Sequence, residues 1–103
     1  VAAAKAAGIA VTNTPGAVTD ATADIAMMLI LMACRRAGEG ERMLRRGEWT
    51  GWAPTQMLGT HVTGLTVGIV GMGRIGEAIA RRCHYGFGTE VLYFNRSRKA
   101  VGF

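Results

Sequence analysis

Little in this chain could build a covalent or metal-bound framework. Only two cysteines are present, Cys34 and Cys83, each in an apolar helical stretch, so a disulfide lattice is excluded and buried free thiols are expected. No Cys/His cluster stands at metal-ligand spacing, and no metal site is assigned. Acidic side chains are scarce, seven against twelve Lys and Arg, which leaves a net charge of +5. That balance would suit nucleic acid, but the arginines are scattered. Arg35 and Arg36, then Arg42, Arg45 and Arg46, then Arg81 and Arg82 each fall near the polar side or C-terminal end of an expected helix, where they complement the helix dipole. Nucleic acid is therefore not an expected partner. Long apolar runs are missing too. The stretch Ile25–Cys34 falls short of the ~20 residues a membrane span requires, so no membrane is expected either. There is no internal repeat, low-complexity tract or signal peptide in these residues, and with free thiols this points to the cytoplasm. The chain starts at Val1 without an initiator Met and stops soon after its last expected strand, as a piece of a longer protein would.

Glycine, by contrast, is plentiful at 15 residues, and its placement organises the chain. Leu65–Val70 is a short run rich in β-branched residues, the composition of a strand buried on both faces. It breaks into Gly71, Met72, Gly73, Arg74, Ile75 and Gly76, a GxGxxG. In that pattern Gly71 makes a tight turn off the strand, Gly73 leaves the backbone bare for a pyrophosphate, and Gly76 lets the following helix lie close to its strand. The helix reads on through Ile75, Ala78, Ile79, Arg82 and Cys83 at spacings of three and four, with Gly86 placed to stop it. Its first-turn N–H groups and the positive end of its dipole form an anion site without needing a charged side chain. The alternative is a glycine-rich turn with no ligand. A second strand, Glu90–Phe94, completes a βαβ unit of about 30 residues.

In a dinucleotide fold the end of that second strand meets the adenosine ribose, where a carboxylate selects NAD. Here Asn95 stands at that place, followed by Arg96, Ser97, Arg98 and Lys99. Guanidinium, ammonium and hydroxyl groups favour a 2′-phosphate, so NADP is the expected cofactor, with NAD as the other option and a solvated basic turn as the bland alternative.

Residues 1–19 hold an alanine-rich helix ending at Gly8, a short strand at Ile9–Thr12 and a turn at Asn13–Gly16. Residues 20–46 form one long helix with Thr19 or Asp20 as N-cap, buried over Ile25–Cys34 and polar from Arg35 to Arg46, an arm leaving the core or an amphipathic helix lying on it. Residues 47–64 have no periodicity and carry Trp49 and Trp52, which suggests a functional or interface loop. Residues 65–103 are the βαβ unit. The fold class is thus α/β, a partial Rossmann-type doubly wound parallel sheet whose further strands lie outside the sequence.

GIAVTNTPG, TDATAD, RRGEW, GLTVGIVGMGRIGEAIARR and VLYFNRSRK together resemble the D-isomer-specific 2-hydroxyacid dehydrogenases, and most closely the glyoxylate/hydroxypyruvate reductase branch. The resemblance covers almost the whole chain. It implies two Rossmann-like domains around a cleft, hydride transfer from NAD(P)H to a small 2-keto acid such as glyoxylate or hydroxypyruvate, and a homodimer built through the arm at residues 20–60. It assigns Gly71, Gly73, Arg74, Ile75 and Gly76 to the pyrophosphate loop and Asn95, Arg96, Ser97 and Arg98 to the ribose-phosphate loop of the NADP-using branch. Thr22 and Asp24 match the segment where the interdomain helix passes near the nicotinamide, where most relatives carry Val and Glu. Trp52 falls in a loop that can reach the neighbouring subunit. The family's catalytic Arg, Glu and His match nothing here, and His61 and His84 are expected to be structural or exposed. The alternatives are a D-3-phosphoglycerate-type or other D-2-hydroxyacid dehydrogenase using NAD, and a non-catalytic dinucleotide-sensing module.

Overall fold

The computed structural model describes all residues from Val1 to Phe103. In chain order the elements are α1 (Ala2–Ala6), α2 (Thr19–Cys34), α3 (Ala37–Arg45), β1 (Thr66–Val70), α4 (Arg74–Phe87) and β2 (Glu90–Phe94). β1 and β2 pair in parallel, Thr66 opposite Glu90 through to Val70 opposite Phe94, with α4 as the crossover between them. Parallel neighbours require such a crossover, and the switch from β-branched residues to a helical period at the glycines supplies it.

The core is small. Ile69, Met72 and Ala80 form its centre, with Ile79, Val91, Tyr93, Val101 and Phe103 packed around them. A second contact joins α2 to α4: Ala23 and Met27 face α4, and the Cys83 thiol lies 3.5 Å from the Met27 sulfur. Arg82 of α4 straps the same two helices from outside, reaching Asp20 at 3.1 Å and Asp24 at 2.9 Å. No helix is long and apolar enough to cross a membrane.

Several local expectations are corrected. Ile9–Thr12 forms no strand, because no neighbouring strand accepts its main-chain groups and Ile9 and Val11 stay exposed. The expected single helix over 20–46 is two helices: Arg36 adopts a left-handed φ of 56°, and α3 starts anew after it. Neither Thr19 nor Asp20 caps α2. The N-cap is Val18, and Asp20 and Asp24 are engaged by Arg82 instead. Along the apolar stretch only Met27 is buried; Ile25, Met28, Leu29 and Met32 are exposed. β1 is likewise covered on one side only, with Ile69 inside and Val70 87% exposed. α4 runs past Gly86 and stops at Gly88, whose φ of 58° forms a left-handed cap. Trp52 is 81% exposed and Trp49 meets Gln56 at 3.4 Å, so within this chain neither is buried. Cys83 is buried, whereas Cys34 is half-buried.

Candidate functional site

The site grows out of the turn between β1 and α4. Gly71 takes a φ of 103°, a conformation side chains rarely adopt, and its N–H donates to the Phe94 carbonyl at 2.8 Å. That bond ties the turn to the end of β2. Met72, next in sequence, is 1% exposed and anchors the turn in the core. Gly73 is the extended N-cap of α4, and no side chain caps the helix start. The first-turn N–H groups of Arg74, Ile75 and Gly76 have no carbonyl one turn back to bond, so they and the positive end of the dipole face outward. A Cβ on Gly76 would collide with the Gly71 carbonyl and approach the Ile69 side chain at 3.3 Å, so only glycine permits α4 to sit this close to β1.

A cleft of about 530 Å³ opens over this turn. One wall is Gly71, Gly73, Arg74, Ile75 and Gly76; Thr14, Gly16, Val18 and Thr19 form another, and Lys99 enters from beyond β2. All five sequence-identified residues of the glycine turn therefore lie on one concave surface. Physically it is an anion cradle: bare amides, a helix N-terminus, and the cations Arg74 and Lys99.

The other sequence-identified residues lie around it. Asn95 Nδ2 donates to the Ser97 carbonyl at 3.0 Å, folding the segment after β2 into a tight bend. Arg96, Ser97 and Arg98 are exposed on this bend, and neither arginine has an acidic partner. Arg98 and Lys99 border an adjoining depression with Tyr93, Val101 and Phe103. Thr22 is exposed on the first turn of α2, and the cleft is bordered by Thr19 rather than by it. His61 is exposed; His84 Nδ1 donates to the Thr89 carbonyl at 3.2 Å and its ring stacks on Phe103. The wall made by Thr14–Thr19 was readable only as a turn leading into a helix start. Its local signals were the Thr-Pro-Gly punctuation and Thr19 as an N-cap candidate, and neither says what the segment faces.

A parallel strand, a glycine turn and a helix N-terminus open to a cleft define a Rossmann-type nucleotide-binding βαβ unit. The chain belongs to the family described as D-isomer specific 2-hydroxyacid dehydrogenase, NAD binding domain, which it matches over residues 27–102. It is 51% identical over 96 residues to a glyoxylate reductase of Thermococcus litoralis, covering 89% of this chain and 29% of that one. A glycerate dehydrogenase of Hyphomicrobium methylovorum is 49% identical over 94 residues, covering 91% and 29%. Among solved structures, an NADPH-dependent glyoxylate/hydroxypyruvate reductase from Sinorhizobium meliloti, in complex with NADP and malonate, superimposes with a TM-score of 0.81. Its identity is 42%, and the match covers 99% of this chain and 32% of that one. The chain thus spans under a third of the length of each of these three relatives.

Proposed function

We propose that this chain is the cofactor-holding part of an oxidoreductase that passes hydride from NADPH to a small 2-keto acid, glyoxylate or hydroxypyruvate. The glycine turn binds the pyrophosphate, Gly71 and Gly73 by their bare backbone lining the cleft and Arg74, Ile75 and Gly76 by their free first-turn amides, and Asn95, Arg96, Ser97 and Arg98 receive the 2′-phosphate. Thr22 lies on the helix that passes toward the nicotinamide end. The bound dinucleotide supplies the hydride; this chain's residues bind it, orient it and select between its two forms.

One observation carries the reading. Gly73 has an ordinary φ of −86°, and a Cβ added there would meet no atom within 4 Å outside its own stretch of chain. The fold therefore has no need of glycine at this position. A ligand pressed against the bare backbone does need it, and the position borders the cleft. The NADP preference is supported by the unpaired Arg96 and Arg98 and by the absence of a carboxylate at Asn95. Each charged hydrogen bond to phosphate is worth about 1.5–3 kcal/mol, so two would change preference by roughly a hundredfold or more. The name of the Sinorhizobium relative supports the same choice. We further assign a cytoplasmic location and a homodimer joined through residues 20–60, where α2 offers an uncovered apolar face.

The test is oxidation of NADPH by the whole protein with glyoxylate and with hydroxypyruvate. Turnover with either is expected; tight cofactor binding with no turnover would make the protein a dinucleotide sensor instead. Changing Asn95→Asp together with Arg96→Ala should shift preference toward NADH by about a hundredfold. An unchanged ratio of the two affinities would overturn the assignment of the ribose loop.

A further inference from the structure

The bend after β2 has an unusual support. Past Phe94 no main-chain to main-chain hydrogen bond holds the chain, so Asn95–Arg98 has no ladder or helix to fix it. Inside the bend the Asn95 side chain holds the Ser97 carbonyl, and what closes its far end is one phenol. The Tyr93 ring packs half-buried against the Ile69, Met72 and Ala80 cluster, which sets its position from the core side. Its hydroxyl accepts from the Lys99 N–H at 2.9 Å and donates to the Lys99 carbonyl at 3.0 Å. Both hydrogen-bonding capacities engaged here are spent on a single residue, which a phenol can do because it donates and accepts at once. The result is a closed loop with Tyr93 and Lys99 as its base and Arg96, Ser97 and Arg98 at its exposed tip. The Asn95 bond to the Ser97 carbonyl narrows the tip further. The side chain of Lys99, outside the clasp, borders the glycine cleft.

We propose that Tyr93 is a positioning residue for cofactor selection: by clasping the Lys99 main chain it presents Arg96, Ser97 and Arg98 as a preformed receptor for the phosphate that distinguishes NADPH from NADH. This rests on the NADP reading of the bend given above. A loop ordered before binding does not have to be ordered by the ligand, and that saving falls on the ligand that uses the loop. The main-chain amides that meet the pyrophosphate of either cofactor do not depend on the clasp, so NADH, which shares only the Lys99 side chain with the bend, feels its loss far less.

Tyr93→Phe tests it in the whole protein, since Phe keeps the ring in the core and removes only the hydroxyl. The dissociation constant for NADPH should rise about tenfold, the scale of two neutral hydrogen bonds, while that for NADH changes by less than about twofold. Without any cofactor, trypsin should cut after Arg96 or Arg98 faster in Tyr93→Phe than in the wild type, and NADPH should slow that cleavage. Tyr85→Phe, which loses one 3.4 Å contact to the Gly102 carbonyl, is the control and should alter neither readout. Equal weakening of both cofactors, or unchanged NADPH binding with unchanged cleavage, overturns the clasp. A wild type that does not prefer NADPH at all overturns the NADP reading itself, and the two failures are told apart by measuring the wild type first.

Discussion

Two glycines three residues apart in the same turn do different work, and substitution separates them. Gly76 is required by packing: a Cβ there runs into the Gly71 carbonyl, so Gly76→Ala must push α4 off β1. The expected cost is about 1–3 kcal/mol of stability, measured by urea unfolding, together with loss of cofactor binding. Gly73 has open space before it, and Gly73→Ala should keep stability within about 1 kcal/mol, the range of a changed N-cap. It should nonetheless weaken NADPH by about tenfold or more, read by fluorescence titration, because the methyl occupies ligand space. A Gly73→Ala protein that binds normally would mean the cleft is empty of function. Burial also pushes the Cys83 thiol up from its ordinary value of 9.0. The unfolded chain releases this proton first, so the stability Cys83 contributes is full below about pH 9 and falls as pH rises through the raised folded value. Urea midpoints at pH 7.5 and pH 10 should therefore differ more in the wild type than in Cys83→Ala.

Among the elements, the strand, glycine turn and helix were legible because each is written in its own residues. A β-branched run, a turn that needs positive φ and a helical period require no knowledge of the rest of the chain. The break between α2 and α3 was not legible, since its cause lies some twenty residues downstream. Gly59 packs on the Cys34 carbonyl, the Thr60 N–H donates to the same carbonyl at 2.8 Å, and Arg36 Nη1 donates to the Leu58 carbonyl at 3.2 Å. Arg36 also grips Glu39, whose carboxyl is held below its usual range chiefly by that hydrogen bond. The loop read as irregular is thus a buttress for the bend. Ile9–Thr12 failed in the other direction: its composition favours a strand, but a strand needs a neighbour, and composition does not supply one. The cleft itself was half legible. Its glycine wall follows from a local pattern, whereas the Thr14–Thr19 wall and Lys99 arrive through tertiary folding. The buttress gives a clean prediction. Gly59→Ala has no room beside the Cys34 carbonyl and the Arg35 Cα at 3.1 Å, so it should cost about 1–3 kcal/mol and loosen α3. Hydrogen exchange should show faster amides in Ala37–Arg45 and unchanged ones in α4.

As a whole molecule the chain is extended, 66 × 33 × 18 Å with a radius of gyration of 19.6 Å, where a compact domain of this length would have about 13 Å. Only 8 of 103 residues are buried. Hydrophobic burial is the main favourable term in folding, and so small a core gives residues 1–103 little of it. Meanwhile α2 leaves Ile25, Met28, Leu29 and Met32 in the open, and Val70, Leu92 and Phe94 are uncovered on the sheet. Apolar surface of that extent belongs against other protein. Residues 1–103 expressed alone should therefore bind a hydrophobic dye and unfold without a sharp transition, whereas the whole protein should do neither. Replacing Ile25 and Leu29 by Gln separates the two settings further. In the isolated piece the change should improve solubility, because it removes exposed apolar surface and breaks no buried contact. In the whole protein, if α2 forms the homodimer arm, the same change should shift the dimer toward monomer by light scattering. An unaltered dimer with full activity would place the dimer contact elsewhere and leave the α2 face to be covered by another part of the same chain.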